Sequence, residues 1–186
     1  MIRSAWLATL YLLCPVALLA QTVMVPEPPL DSARATLRDA LMVFRDSVGT
    51  IDGAAARLQR DFRQTSAASL LSRARVMHEA CARSSRTLPP TREAVLSAHL
   101  PDRGRTVRRE LVDAMDRLKG ALSRCEMDFA TMSQPGQGET VRGYGYDRSD
   151  RVQGVLRTYE QTLRRFLAVT GIGTLPASSA PRSAAG

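Results

Sequence analysis

Aromatic residues are scarce in this chain, at 5% of its length. The single tryptophan, Trp6, and one tyrosine, Tyr11, lie in an N-terminal apolar run, which leaves few flat side chains elsewhere. Single-stranded nucleic acids are gripped by aromatic platforms set among basic residues, so this scarcity argues against such a partner. Lysine is rarer still, with Lys119 alone; the other members of the 26 Lys and Arg are arginine, against 18 acidic residues, for a formal net charge of +8. Arginine suits bidentate recognition of phosphate or carboxylate, although a GC-rich genome writes the same excess without any ligand.

Catalytic patterns are also missing. There is no G-x-S-x-G elbow and no C-x-x-C-H attachment for haem, and neither His78 nor His99 has a neighbour in sequence that marks it as a base. The carboxylate pairs Asp113/Asp116 and Glu126/Asp128 sit on ordinary charged helix faces. A haem held within a bundle needs axial His or Met from different helices; His99, Met42 and Met115 offer these atoms, but methionine at helical spacing is ordinarily core filler. The chain therefore reads as a non-enzymatic protein without a cofactor. Period-two apolar alternation of any length is absent too, which excludes a sheet and leaves an all-α fold.

The N-terminus carries one positive charge at Arg3, then an apolar run from Ala5 to Ala20. A short apolar core ending on a small residue is the pattern of a secretory signal, so residues 1–20 read as a signal peptide and the mature chain starts at Gln21. An uncleaved anchor is the rival, because no charge returns until Glu27 and spanning needs about 20 apolar residues. Lipid attachment at Cys14 is disfavoured by the bulky Leu13 before it. Export places the protein in the periplasm or outside the cell, and removes Cys14 from the three cysteines. Cys81 and Cys125 remain, in a compartment that favours their oxidation.

Residues 21–30 form a Pro-rich leader, and helical periodicity then takes over. Leu37, Leu41, Phe44, Val48, Ile51, Ala55, Leu58 and Phe62 alternate spacings of four and three, the signature of a narrow apolar seam. Gly49 and Gly53 interrupt it and mark a bend. Ala67, Leu70, Ala74, Met77, Cys81, Ser84 and Leu88 make a second seam that runs into Pro89-Pro90, where lost donors predict a helix break. The third is Leu111, Met115, Leu118, Leu122, Cys125, Phe129 and Met132; the fourth is Val152, Leu156, Tyr159, Leu163, Phe166 and Thr170. Gly171-Ile172 has the form of a helix stop. Ser133 to Ser149, with its glycines around Tyr144 and Tyr146, reads as a long connection, and residues 173–186 read as a disordered tail.

Four seams over residues 31–172 predict an antiparallel four-helix bundle, its second helix broken at Pro89-Pro90. Cys81 precedes the turn Pro101-Asp102-Arg103-Gly104 by about as many residues as Cys125 follows it. At about 1.5 Å of rise per residue the two sulfurs come level, and this predicts a Cys81–Cys125 disulfide. A reversal at the prolines instead would leave them about 20 Å apart, beyond the about 7 Å between α-carbons that a bridge tolerates.

In the same register His78 falls opposite Asp128, so that His78, Cys81, Cys125 and Asp128 compose an alternative zinc set, at odds with an oxidising compartment. The turn end of the bundle also receives the start of the first helix and the end of the last. It gathers Arg34, Arg38, Arg103, Arg105, Arg108, Arg109, Arg164 and Arg165 against Asp31, Asp39, Asp102, Glu110 and Glu160. Of these, Arg103, Arg105, Arg108, Arg109, Arg164 and Arg165 are the candidate anion-binding residues, facing an anionic envelope component, an acidic protein or a membrane surface.

Overall fold

The apolar seams become helices. A computed structural model of the chain describes residues 32–61, 66–144, 151–173 and 175. Among these there is no strand, and the elements run α1 Ser32–Asp61, α2 Ala67–Ser97, α3 Gly104–Met132, α4 Gly138–Arg142 and α5 Val152–Thr170. The signal segment 1–20, the leader 21–30, Asp31, Phe62 and Tyr146 lie outside the described residues, as does most of the tail.

Helix α1 packs on α2, α2 on α3 and α3 on α5, while α1 and α5 touch only sparingly. The result is a helical bundle with one loosely closed side. Seam positions are its core: Leu41, Phe44, Ile51, Leu70, Met77, Leu111, Leu118, Phe129 and Phe166 are all at 0% exposure. Each such side chain contributes about 1.5–3 kcal/mol of burial. Cross-helix contacts fix the antiparallel registers. Ser47 meets Ser84 at 3.0 Å and the Thr91 hydroxyl donates to the Ala40 carbonyl at 3.3 Å, which aligns α1 with α2. Arg92 reaches Asp116 at 2.8 Å, and His78 Nδ1 lies 3.0 Å from the Glu126 carbonyl, aligning α2 with α3.

Helix ends follow local chemistry. Ser66 caps α2 by accepting from the Ser69 backbone N–H. The Pro101–Gly104 turn closes with Gly104 N–H on the Pro101 carbonyl at 2.7 Å. Gly171 ends α5 at φ +67°, its N–H on the Leu167 carbonyl, with Ile172 buried behind it, the apolar contact expected of that stop. Helix α1 continues through Gly49 and Gly53.

Two expectations need correction. Helix α2 is not broken at Pro89-Pro90 but runs through both. Each proline removes one hydrogen bond and crowds the carbonyl four residues back. Both are exposed, so the carbonyls of Ser85 and Arg86 lose their donors on the solvent side of the helix. On the inner side Leu88, Thr91 and Val95 stay buried, and Thr91 is anchored to both Thr87 and Ala40. Core packing on one face therefore outweighs the proline penalty on the other. The direction that the cysteine register requires is kept.

The second correction lies in the long connection, where Gly138–Arg142 forms α4 with Val141 buried. Helix α4 docks on α2 through Gly138: a β-carbon there would sit 2.9 Å from the Ala67 β-carbon and 3.1 Å from its α-carbon. Gly138→Ala is therefore expected to lower stability by about 1–3 kcal/mol, measured as a fall in the urea midpoint at unchanged slope.

Candidate functional site

Four groups of side chains merit a functional reading: the cysteine layer, the junction beneath α5, the arginine-bearing end and the gap between α1 and α5. Cys81 and Cys125 form the disulfide, 44 positions apart in sequence with α-carbons 6.1 Å apart, both at 1% exposure or less. The thiolates that a zinc site would use are joined to each other. His78 and Asp128 do not meet, contrary to the register argument. His78, half-buried, contacts the Glu126 carbonyl, whereas the Asp128 carboxylate accepts from Arg151 at 2.9 Å. Three residues turn a helix through about 300°, so Asp128 leans off the Cys125 seam toward α5. Among the described residues no three His, Cys, Asp or Glu are placed to hold a metal ion. Of the haem candidates, His99 is exposed while Met115 is fully buried.

Arg151 precedes the first turn of α5 and joins three elements. Its guanidinium binds Asp128 and lies 4.6 Å over the Tyr144 ring, which in turn packs 4.9 Å from the Phe129 ring. Burial foremost pushes the Tyr144 hydroxyl above its usual range, with the Asp128 charge acting the same way and Arg151 opposing. The cluster joins the end of α3 to the beginning of α5, a structural role. Because both partners are about one-third exposed, Arg151→Ala is expected to cost only about 1 kcal/mol, seen as a small drop in the unfolding midpoint.

The arginine-bearing end assembles as the registers require: Thr91 on Ala40 brings the first turns of α1 beside the end of α2, and Gly104 stands 3.5 Å from Thr170, measured from its would-be β-carbon. Most of its guanidinia already have partners. Arg105 pairs with Asp102 at 2.8 Å, Arg164 with Glu160 at 3.7 Å and Arg165 with Glu110 at 3.2 Å. Arg108 donates to the Leu96 and Ala98 carbonyls at 3.3 and 3.1 Å, capping the final turn of α2. Arg103 and Arg109 are exposed and make no ion pair among the described residues.

The fourth group was not foreseen from sequence. Where α1 and α5 diverge, a cleft of about 440 Å³ opens, lined by Arg45, Val48, Tyr159, Glu160, Leu163, Arg164, Leu167, Ala168, Gly171, Gly173 and Leu175. Phe44 and Tyr159 pack edge to face at 5.4 Å between the same two helices. Tyr159 is at 1% exposure, and its hydroxyl has no hydrogen-bond partner among the described residues. Leu175, within the segment expected to be a tail, packs on the core, and its carbonyl accepts from Arg45 at 3.0 Å. A periodic seam reports which residues face inward; it does not report the distance between two helices, and the cleft is set by that distance.

Comparison with known proteins found no matching family model, curated protein or solved structure. Among the described residues no helix is long and apolar enough to cross a membrane.

Proposed function

We propose that this is an exported, non-enzymatic helical-bundle protein that meets an anionic envelope surface through its arginine-bearing end. The observation that carries the reading is the exposure of Arg103 and Arg109, without ion pairs among the described residues, where four helix termini converge. Charges already matched within a bundle add little to a long-range field, whereas unmatched exposed guanidinia attract anions directly. Helix α1 begins at this same end, so the leader enters the bundle there. A membrane-retained N-terminus would bring the arginines to the lipid surface. The buried disulfide is the chemistry of an oxidising compartment, which supports export.

Vesicle adsorption tests the reading. Each basic residue near an anionic surface contributes about 1 kcal/mol, so Arg103→Gln/Arg109→Gln should weaken adsorption to vesicles of acidic phospholipid about thirtyfold at low salt. The difference should fade as salt is raised to about 1 M, where the screening length falls to about 3 Å. Arg105→Gln, which removes a guanidinium already paired with Asp102, should have the smaller effect. Unchanged adsorption of the folded Arg103/Arg109 variant would eliminate this end as the binding surface.

A further inference from the structure

Among the described residues four large apolar side chains are exposed, Val43, Val76, Leu96 and Met127. Val43, Val76 and Met127 each lie about 16 Å or more along their helix from the arginine-bearing end, and apolar side chains scattered singly need no explanation. Leu96, at 41% exposure, stands in the last turn of α2, at that end. Its surroundings follow from the Arg92–Asp116 pair at 2.8 Å. Leu96 comes four residues after Arg92 and Arg109 seven before Asp116, spacings that keep to one helix face. Arg108 reaches the Leu96 carbonyl at 3.3 Å. Leu96 and Arg109 therefore flank the same α2–α3 seam within about one turn of each other.

We propose, resting on the anionic-surface reading above, that this end enters the headgroup layer of an acidic phospholipid bilayer. Leu96 seats at the boundary with the acyl chains, while Arg103 and Arg109 hold the phosphates. Apolar side chains flanked by basic residues settle about 5–10 Å deep at that boundary. A polyanion in solution would engage the guanidinia alone and leave Leu96 in water; a bilayer uses both. Backbone groups that leave water need partners within the protein, and around Leu96 they have them. The Ser97 hydroxyl donates to the Glu93 carbonyl at 2.9 Å and lies 3.4 Å from that of Ala94. Arg108 donates to the carbonyls of Leu96 and Ala98, and the N–H groups of Gly104 and Arg105 close on Pro101 and Asp102 at 2.7 and 3.1 Å. The nearby carboxylates of Asp102 and Asp116 are paired with Arg105 and Arg92. Glu93 and Asp113 are exposed about one turn farther from the tip, which limits entry to the last turn of α2 and the connection after it.

Co-sedimentation of the exported protein with vesicles of equal parts phosphatidylglycerol and phosphatidylcholine tests this. Leu96→Ser should weaken adsorption about tenfold, the worth of the apolar area that Leu96 exposes. The factor should be the same at about 0.1 M and about 1 M salt, whereas the loss in Arg103→Gln/Arg109→Gln fades over that range. Val76→Ser, at 42% exposure on the same helix but about 30 Å from Leu96, should adsorb as the parent does. Soluble polyphosphate should bind the parent and Leu96→Ser alike. With Trp6→Phe, Leu96→Trp carries the only tryptophan. Its emission should shift to the blue on adsorption and be quenched by phospholipid brominated near the headgroup end of the acyl chain. Adsorption of Leu96→Ser equal to that of the parent, or emission that lipid bromine leaves unquenched, would overturn entry into the bilayer. If Arg103→Gln/Arg109→Gln then still weakens adsorption, the anionic-surface reading stands without it; if not, both fall. Equal weakening of vesicle and polyphosphate binding by Leu96→Ser would mean that Leu96 only shapes the tip, and would also reject entry into lipid.

Discussion

Replacing Cys81 and Cys125 together by alanine is expected to lower the unfolding free energy by about 4 kcal/mol, the chain-entropy value for the 44-residue separation. The unfolding temperature should drop by about 8–16 °C, given about 2–4 °C per kcal/mol at this size. Replacement by serine should cost more than alanine, since both positions are fully buried seam sites and each hydroxyl would need a partner there, at about 1–3 kcal/mol if it finds none. Reduction of the native protein should be slow without denaturant, for the same reason of burial. Thermal melts of the three forms, with and without reductant, read all of these effects. A double alanine variant as stable as the parent would mean that the bridge constrains nothing the helices do not already hold.

Phe44→Ala should be comparably severe, at about 3–5 kcal/mol. Phe44 is at 0% exposure, and its ring meets Tyr159 edge-on at 5.4 Å across a sparsely packed pair of helices. Few other side chains are available there to close over a void, so relaxation should recover little of the loss. The neighbouring Val43, at 59% exposure, provides the control: Val43→Ala should stay within about 0.5 kcal/mol. Equilibrium urea unfolding of both variants decides the comparison. Equal stabilities would show that α1 and α5 do not share a core at this level.

Much of the fold is legible because the seams state burial position by position. Leu37, Leu41, Phe44, Val48, Ile51, Ala55 and Leu58 are all buried, as spacings of four and three require of one helix face. Cys81 and Cys125 meet because both lie on seams and are level about one turn, a relation that needs only helix rise to compute. The break expected at Pro89-Pro90 came from a rule about donors that takes no account of which face the prolines occupy; on the exposed face water can replace the missing bonds. Helix α4 was hidden because five residues carry too few apolar positions to show a period, and its one strong signal, Gly138, looks like any loop glycine until Ala67 is seen beside it. For the arginine-bearing end, membership could be read from the register, but pairing could not. Whether Arg108 meets a ligand or the last carbonyls of α2 depends on side-chain reach across the Pro101–Gly104 turn. The cleft depends on a separation between helices that seam spacing leaves open.

Exported protein, digested without reduction and mapped by mass spectrometry, tests most directly that a bundle in this register is stapled outside the cytoplasm. Cleavage after arginine releases residues 76–83 and 125–142. The expected result is these two peptides joined through Cys81 and Cys125, with the chain beginning at Gln21. Two free thiols in freshly exported protein would contradict it, because the register of α2 against α3 would then have lost the bond that defines it.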